Sequence, residues 1–284
     1  MMHDWKGAGV GQLDGRVAFI TGGARGQGRS HAVALAREGC DIAIFDVADQ
    51  LEAIPYAMAT EADLAKTCQM VEAEGQRCLA IKGDVRSTAD VDAAIGRTVA
   101  ELGGLDIVVA NAGVISFHPV ETCPDDEWDA IVGTNLTGVF KVLRASIPHL
   151  RARGAGRIVT ISSMVGRKAS PNIPHYVAAK FGVIGLTKGL AQELKGTGIT
   201  VNAICPATLN SDLFYNDATV RVFFPDRPDA TVEDLKSRLL DGLTPIPILE
   251  VEDITRAVMH LVLDRGVLTG QALEVGNGMS AFLA

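Results

Sequence analysis

The sequence predicts a doubly wound α/β fold, formed as one domain over residues 1–284, with a parallel sheet of seven strands and helices on both faces. Three observations point there. Seven short apolar segments recur along the chain, each separated from the next by a stretch able to form helix, and parallel strands need such crossovers. No Pro/Ser-rich linker, charge block or repeat beyond that rhythm divides the 284 residues. The composition, 48% hydrophobic and 21% charged with mean hydropathy +0.21, is that of a globular chain with a sizeable core.

The first strand is VAFIT, Val17 to Thr21, an apolar run ending at a glycine cluster. The helix after it, Arg29 to Glu38, sets Ala32, Leu35 and Ala36 on one face and stops at Gly39. DIAIFD, ending at Asp46, is the second strand, and RCLAIKGD, LDIVVANAG, GRIVTISS, GITVNAICP and QALEVGN supply the other five. Long helical stretches are expected from Asp125 to His149 and from Pro174 to Leu194. Two segments exceed ordinary strand-to-helix loops, residues 47–59 and residues 207–245. The first ends at Thr60-Glu-Ala-Asp63, which resembles a capping box for the helix that follows. The second carries Leu213, Phe214, Tyr215, Val222, Phe223 and Phe224. It reads as a substrate lid in preference to a packed helical subdomain.

A net charge of -8 disfavours nucleic acid and anionic membranes as partners. Met1 to Lys6 lack the regions of a signal peptide, and no uncharged apolar run is long enough to span a bilayer, so a cytoplasmic location is expected. The five cysteines are scattered without a C-x-x-C pair and read as buried thiols. The six histidines show no metal-ligand spacing, and no catalytic metal is expected. Trp128, Met164 and His175 read as core packing or pocket wall.

TGGARGQG, Thr21 to Gly28, joins the first strand to the first helix. Gly22, Gly26 and Gly28 let backbone N–H groups approach a pyrophosphate at a helix N-terminus, with Arg25 and Gln27 between them. Asp46 follows at the end of the second strand, where a carboxylate holds a ribose diol and repels a 2′-phosphate. Together these give a Rossmann-type dinucleotide site selective for NAD; Arg25 pulls the other way, since it could pair with a phosphate. Asp84 and Val85 are placed at the adenine, and Asn111, Ala112 and Gly113 on the cofactor floor. Each of these could alone be a turn or a cap.

YVAAK puts Tyr176 and Lys180 on one helical face, where an ammonium stabilises a phenolate and makes tyrosine a candidate base. Moving a phenol from about 10 towards 7 takes roughly 4 kcal/mol, which a lysine and an oxidised nicotinamide can supply. Ser163, at the end of the fifth strand, is placed to hold the substrate oxygen, and Asn135 to order a water beside Lys180.

With TGGARGQG, Asp84-Val85, Asn111-Ala-Gly, Asn135, Ser163 and Tyr176/Lys180 in that order, the chain resembles the short-chain dehydrogenase/reductase family from residue 14 to residue 280. The resemblance implies Tyr176 as general acid/base, Ser163 orienting the carbonyl or alcohol, Lys180 binding ribose and tuning Tyr176, Asn135 supporting a proton relay, and a homotetramer. GGARGQGRSHA, the insertion after Asp46, ATEADLAKTCQMVEAEG and FFPDRPDAT are similar to the mycofactocin-coupled, carveol dehydrogenase-like subgroup. That implies oxidation of small terpenoid or alicyclic secondary alcohols, with NAD held without exchange and reoxidised by an external carrier, mycofactocin. The 47–59 insertion offers a flap over the adenosine that would slow release.

The family's Pro-Gly after the sixth strand is here Pro206-Ala207. An alanine uses positive φ poorly, so a shifted carboxamide loop is expected, with Leu209 and Ser211 as cofactor contacts. An NADPH-dependent 3-oxoacyl ketoreductase and a non-catalytic dinucleotide-bound sensor are the alternatives. Asp46 and the acidic balance weigh against the first, and the full Asn/Ser/Tyr/Lys set against the second.

Overall fold

The computed structural model describes residues 11–240, 248–276 and 278. Seven strands form one parallel sheet in the order β3-β2-β1-β4-β5-β6-β7. They are β1 (Val17–Thr21), β2 (Asp41–Asp46), β3 (Cys78–Lys82), β4 (Ile107–Ala110), β5 (Gly156–Ile161), β6 (Ile199–Pro206) and β7 (Ala272–Val275). Every one lies within its predicted segment. β1, β4, β5 and β6 are buried along their whole length, as a sheet covered on both faces requires.

Crossover helices α1 (Gly26–Arg37), α2 (Glu61–Ala73) and α3 (Thr88–Leu102) serve the first half of the sheet. Behind one face lies a core of Ile20, Leu35, Ile44, Val109 and Val258, the last from α9 (Val251–Leu263). Behind the other, Phe19, Phe45, Val108, Leu143 and Val183 pack together. The strand order reverses between β1 and β4, which opens a crevice at their carboxyl ends. The opposite end is closed by Asp106, fully buried, which accepts from Arg16, Arg153 and the Val17 N–H.

Several expectations need correction. α1 begins at Gly26, three residues before the predicted start, so the glycine turn itself forms the first helical turn. The expected Asp125–His149 helix is α4 (Asp125–Val132), a π-helical turn over Gly133–Gly138, and α5 (Val139–Arg153). Cys68 and Cys78 are not free thiols. α2 packs on β3 and brings them to a Cα separation of 5.2 Å, where they are joined as a disulfide, while Cys40, Cys123 and Cys205 remain thiols. Trp128 is 42% exposed on α4 rather than in the core.

α6 (Pro174–Glu193) starts at Pro174 as predicted, and Thr60 and Asp63 form the expected capping box for α2. The 207–245 region holds α7 (Asp217–Phe223) and α8 (Val232–Leu240); its residues 241–245 lie outside the described residues. Among the described residues no helix is long and apolar enough to cross a membrane, and no group of three or more metal-ligating side chains occurs.

Candidate active site

A cavity of about 820 Å³ opens at the carboxyl ends of the strands, over the β1/β4 switch point. It is lined by Gly22, Arg25, Gly26, Gln27, Asp46, Asp84, Val85, Asn111, Ala112, Gly113, Ser163, Tyr176, Lys180, Pro206, Leu209 and Ser211. Of the residues predicted to bind the cofactor or act in catalysis, Gly28 and Asn135 stand outside the lining, and both support it from behind; of the predicted lid residues, Tyr215 and Phe224 are outside it. A Cβ on Gly28 would lie 2.0 Å from the Gly22 carbonyl oxygen, so this glycine lets helix α1 close against the turn. Gly22 has φ +66, which favours glycine, while Gly26 at φ +54 has open space where a side chain would stand.

Asp46 ends β2 with both carboxylate oxygens held, Oδ2 by the Ala24 N–H and Oδ1 by the Ala48 N–H, each at 3.1 Å. Burial holds its carboxyl above the usual carboxylate value, although these bonds and the Arg25 charge oppose the rise. The Asp84 carboxylate accepts from the Arg86 backbone and guanidinium. Asn111 braces the floor: its Nδ2 donates to the Thr21 and Gly22 carbonyls at 3.0 and 3.2 Å, while Thr21 Oγ1 accepts from the Asn111 and Ala112 N–H groups. Thr21 carries this bracing, a role its place beside two glycines concealed. The open backbone turn at a helix N-terminus, the anchored carboxylate and the unpartnered buried Gln27 Oε1 fit a dinucleotide.

At the other end of the cavity, Tyr176 and Lys180 project from adjacent turns of α6, with Lys180 Nζ 5.4 Å from the Tyr176 ring centroid. Nζ donates to the Ile161 carbonyl at 2.9 Å. Burial holds the ammonium down to about 8. It also pushes the Tyr176 phenol above its ordinary value; the nearby Tyr56 phenol adds to the rise and the Ser163 hydroxyl opposes it. The protein groups alone thus hold the phenol protonated, against the downward shift expected of the lysine, because desolvation of the phenolate outweighs an ammonium that does not bond its oxygen. Asn135 sits in the π-turn, fully buried, with Nδ2 donating to the Val114 and Ile131 carbonyls at 2.8 Å each and Oδ1 unpartnered. The point that a Cβ on Gly113 would occupy lies 2.8 Å from that Oδ1 and 3.5 Å from Lys180 Nζ.

Ala207 does not adopt positive φ, and its N–H donates to the Val275 carbonyl at 2.9 Å. The 207–240 segment gives the cavity Leu213, Phe214, Val222 and Phe223. Its aromatic rings also pack among themselves and under cations, with Phe214 against Tyr215 and Arg238 over Phe224. The 47–59 insertion adds Val47, Leu51, Tyr56, Met58 and Ala59. Arg25 joins both segments, donating to the Ala57 carbonyl at 2.5 Å and pairing with Asp212 at 3.3 Å. The phosphate-pairing role weighed for Arg25 is thus matched by protein partners, and neither Tyr56 nor Asp212 was singled out from the sequence.

Known proteins resemble the chain throughout. It is 40% identical over 277 residues to the (-)-trans-carveol dehydrogenase of Rhodococcus erythropolis, covering 95% of this chain and 99% of that one. A crystal structure of carveol dehydrogenase from Mycobacterium avium in complex with NAD superposes with a TM-score of 0.90 at 41% identity, covering 94% of this chain and 98% of that one. A short chain dehydrogenase from Mycobacterium paratuberculosis bound to NAD gives 0.87 at 34%, covering 96% and 100%. The short chain dehydrogenase family model matches residues 16–219, and the chain belongs to that family.

Proposed function

We propose that the protein is an NAD-dependent oxidoreductase that transfers hydride between a small terpenoid or alicyclic secondary alcohol, carveol-like in size, and the nicotinamide. The convergence of Tyr176, Ser163 and Lys180 at the apolar end of a dinucleotide-sized cavity carries this reading. Asp46 would hold the adenosine ribose, Gly22 to Gln27 the pyrophosphate, Asp84 and Val85 the adenine side, and Pro206, Leu209 and Ser211 the carboxamide. Bound NAD supplies the hydride acceptor and, when oxidised, a positive charge.

In alcohol oxidation Ser163 orients the hydroxyl and Tyr176 Oη takes its proton. Lys180 tunes that phenol and passes the proton on. Asn135 Oδ1, unpartnered and facing the same gap as Lys180 Nζ, is placed to hold a relay water. Because burial holds the phenol up, oxidation should rise with pH as Tyr176 ionises and carbonyl reduction should fall. Tyr176→Phe should lower kcat about 10³-fold while the protein stays folded and retains its nucleotide. Turnover near wild type would remove Tyr176 as the base.

The same reading includes NAD held without exchange beneath the 47–59 insertion, reoxidation by an external carrier such as mycofactocin, a cytoplasmic setting and a homotetramer. The half-exposed Phe140 on α5 and Phe181 on α6 support an assembly. Dialysis without nucleotide, followed by denaturation and mass spectrometry, tests retention. Stoichiometric NAD or NADH supports it, an empty protein that binds NAD reversibly opposes it, and retained NADP would overturn the assignment of Asp46.

A further inference from the structure

Tyr56 lies in the insertion, outside every motif that points to the dinucleotide or to the acid/base chemistry, yet its side chain reaches the cavity. Its Oη accepts from the Ile115 N–H at 3.2 Å. Its ring packs against the small cluster of Ile54, Val114 and Ile131, on which Tyr176 also packs. The backbone that presents it is pinned: Gln50 Nε2 donates to the Leu51, Ile54 and Tyr56 carbonyls, and Gln50 Oε1 accepts from the Met58 N–H. The phenol is therefore held in place before any ligand arrives.

With Ile115 supplying a donor, the proton of the Tyr56 hydroxyl finds no acceptor among the described residues. A hydroxyl desolvated without an acceptor is unfavourable, so a ligand oxygen is its natural complement. Ile115 continues the chain out of β4 past Gly113, and the cluster shared with Tyr176, whose phenol Tyr56 is near enough to raise, brings the Tyr56 side chain to the reacting end of the cavity. Burial pushes the Tyr56 phenol up to about 12, and an ionised Tyr56 would also repel a Tyr176 phenolate. The two tyrosines divide the work: Tyr176 exchanges a proton and Tyr56 remains a neutral donor.

We propose that Tyr56 is a substrate-orienting residue whose hydroxyl donates to a second oxygen of the substrate, so that the preferred alicyclic alcohols are diols or hydroxyketones. This rests on the alcohol dehydrogenase reading and narrows its substrate class. A site that presents a hydrogen-bond donor discriminates against analogues that lack the acceptor.

The test compares wild type with Tyr56→Phe, which keeps the ring in its cluster, on cyclohexanol and trans-1,2-cyclohexanediol, with both free NAD and an artificial electron acceptor present so that turnover does not depend on nucleotide exchange. The wild type should prefer the diol. The variant should lose about tenfold or more in kcat/KM on the diol, mainly through KM, with cyclohexanol and the nucleotide content nearly unchanged. Equal losses on both alcohols, loss of bound nucleotide or an unaltered preference would overturn the proposal. Should wild type turn over neither alcohol, alcohol oxidation is what fails. Calorimetric binding of 2-hydroxycyclohexanone against cyclohexanone then decides Tyr56: a preference for the hydroxyketone that the variant loses supports it, and no preference overturns it.

Discussion

Gly113 owes its identity to space rather than to backbone conformation, since its φ is not positive and a methyl group would stand 2.8 Å from Asn135 Oδ1. The amide cannot swing aside without releasing two carbonyls, because Nδ2 is bonded to both Val114 and Ile131. Gly113→Ala should therefore fill the gap between Asn135 and Lys180 and slow the proton relay, lowering kcat about tenfold or more, and should also lower the melting temperature as the pinned amide is forced to shift. An unaltered kcat would show that no proton passes there. Residue-scale chemistry of this kind was readable in the sequence where one short segment carries it, as with Tyr176 and Lys180 one turn apart or the glycines of the first turn. Thr21 and Tyr56 were not readable, because their partners, Asn111 and Ile115, come from another strand's end and leave no local pattern.

At the scale of elements, the insertion and the 207–240 segment meet at Arg25. Its bond to the Ala57 carbonyl is short, whereas Asp212 is 79% exposed and its pair with Arg25 is the weaker hold. If the insertion retains the nucleotide, Arg25→Ala should speed exchange of bound NAD for isotopically labelled NAD several-fold, and Asp212→Asn should do so less. Mass spectrometry of the released nucleotide checks this, and unchanged exchange in both variants would separate Arg25 from retention. Replacing residues 47–59 by a short turn should also speed exchange, but it would remove Tyr56 from the cluster with Tyr176 and so cannot leave turnover intact. The insertion's position and the capping box that ends it were legible because loop length and Thr60/Asp63 are local signals. The π-turn at Asn135 was not, since an extra residue in one turn barely disturbs the apolar periodicity on either side. Nor was the Cys68–Cys78 bond, which depends on how α2 packs on β3 rather than on a spacing motif.

At the scale of the whole molecule, the alternation of apolar strands and helices made the sheet legible, because parallel strands buried on both faces tolerate few polar residues. The same demand for burial closes His31 between α1 and α9, fully buried, with Nδ1 2.8 Å from Thr255 Oγ1 and Nε2 unpartnered. Burial lowers its pKa from 6.5 to about 3. The unfolded chain therefore takes up a proton here as pH falls below 6.5, while the folded protein does not until about 3. Stability from neutral His31 is complete above 6.5 and is lost on going down to about 3, at up to roughly 1.4 kcal/mol per pH unit. Carboxylates held low by hydrogen bonds, Asp63, Asp234 and Asp264, weaken the fold at the acid end of the same window. Comparison with His31→Gln, which keeps a partner for Thr255 and cannot be protonated, isolates the histidine. Urea unfolding between pH 7 and 4 should show a shallower loss of stability in the variant than in wild type, even if the variant is the less stable protein at pH 7. Parallel curves would mean that His31 takes up its proton without unfolding.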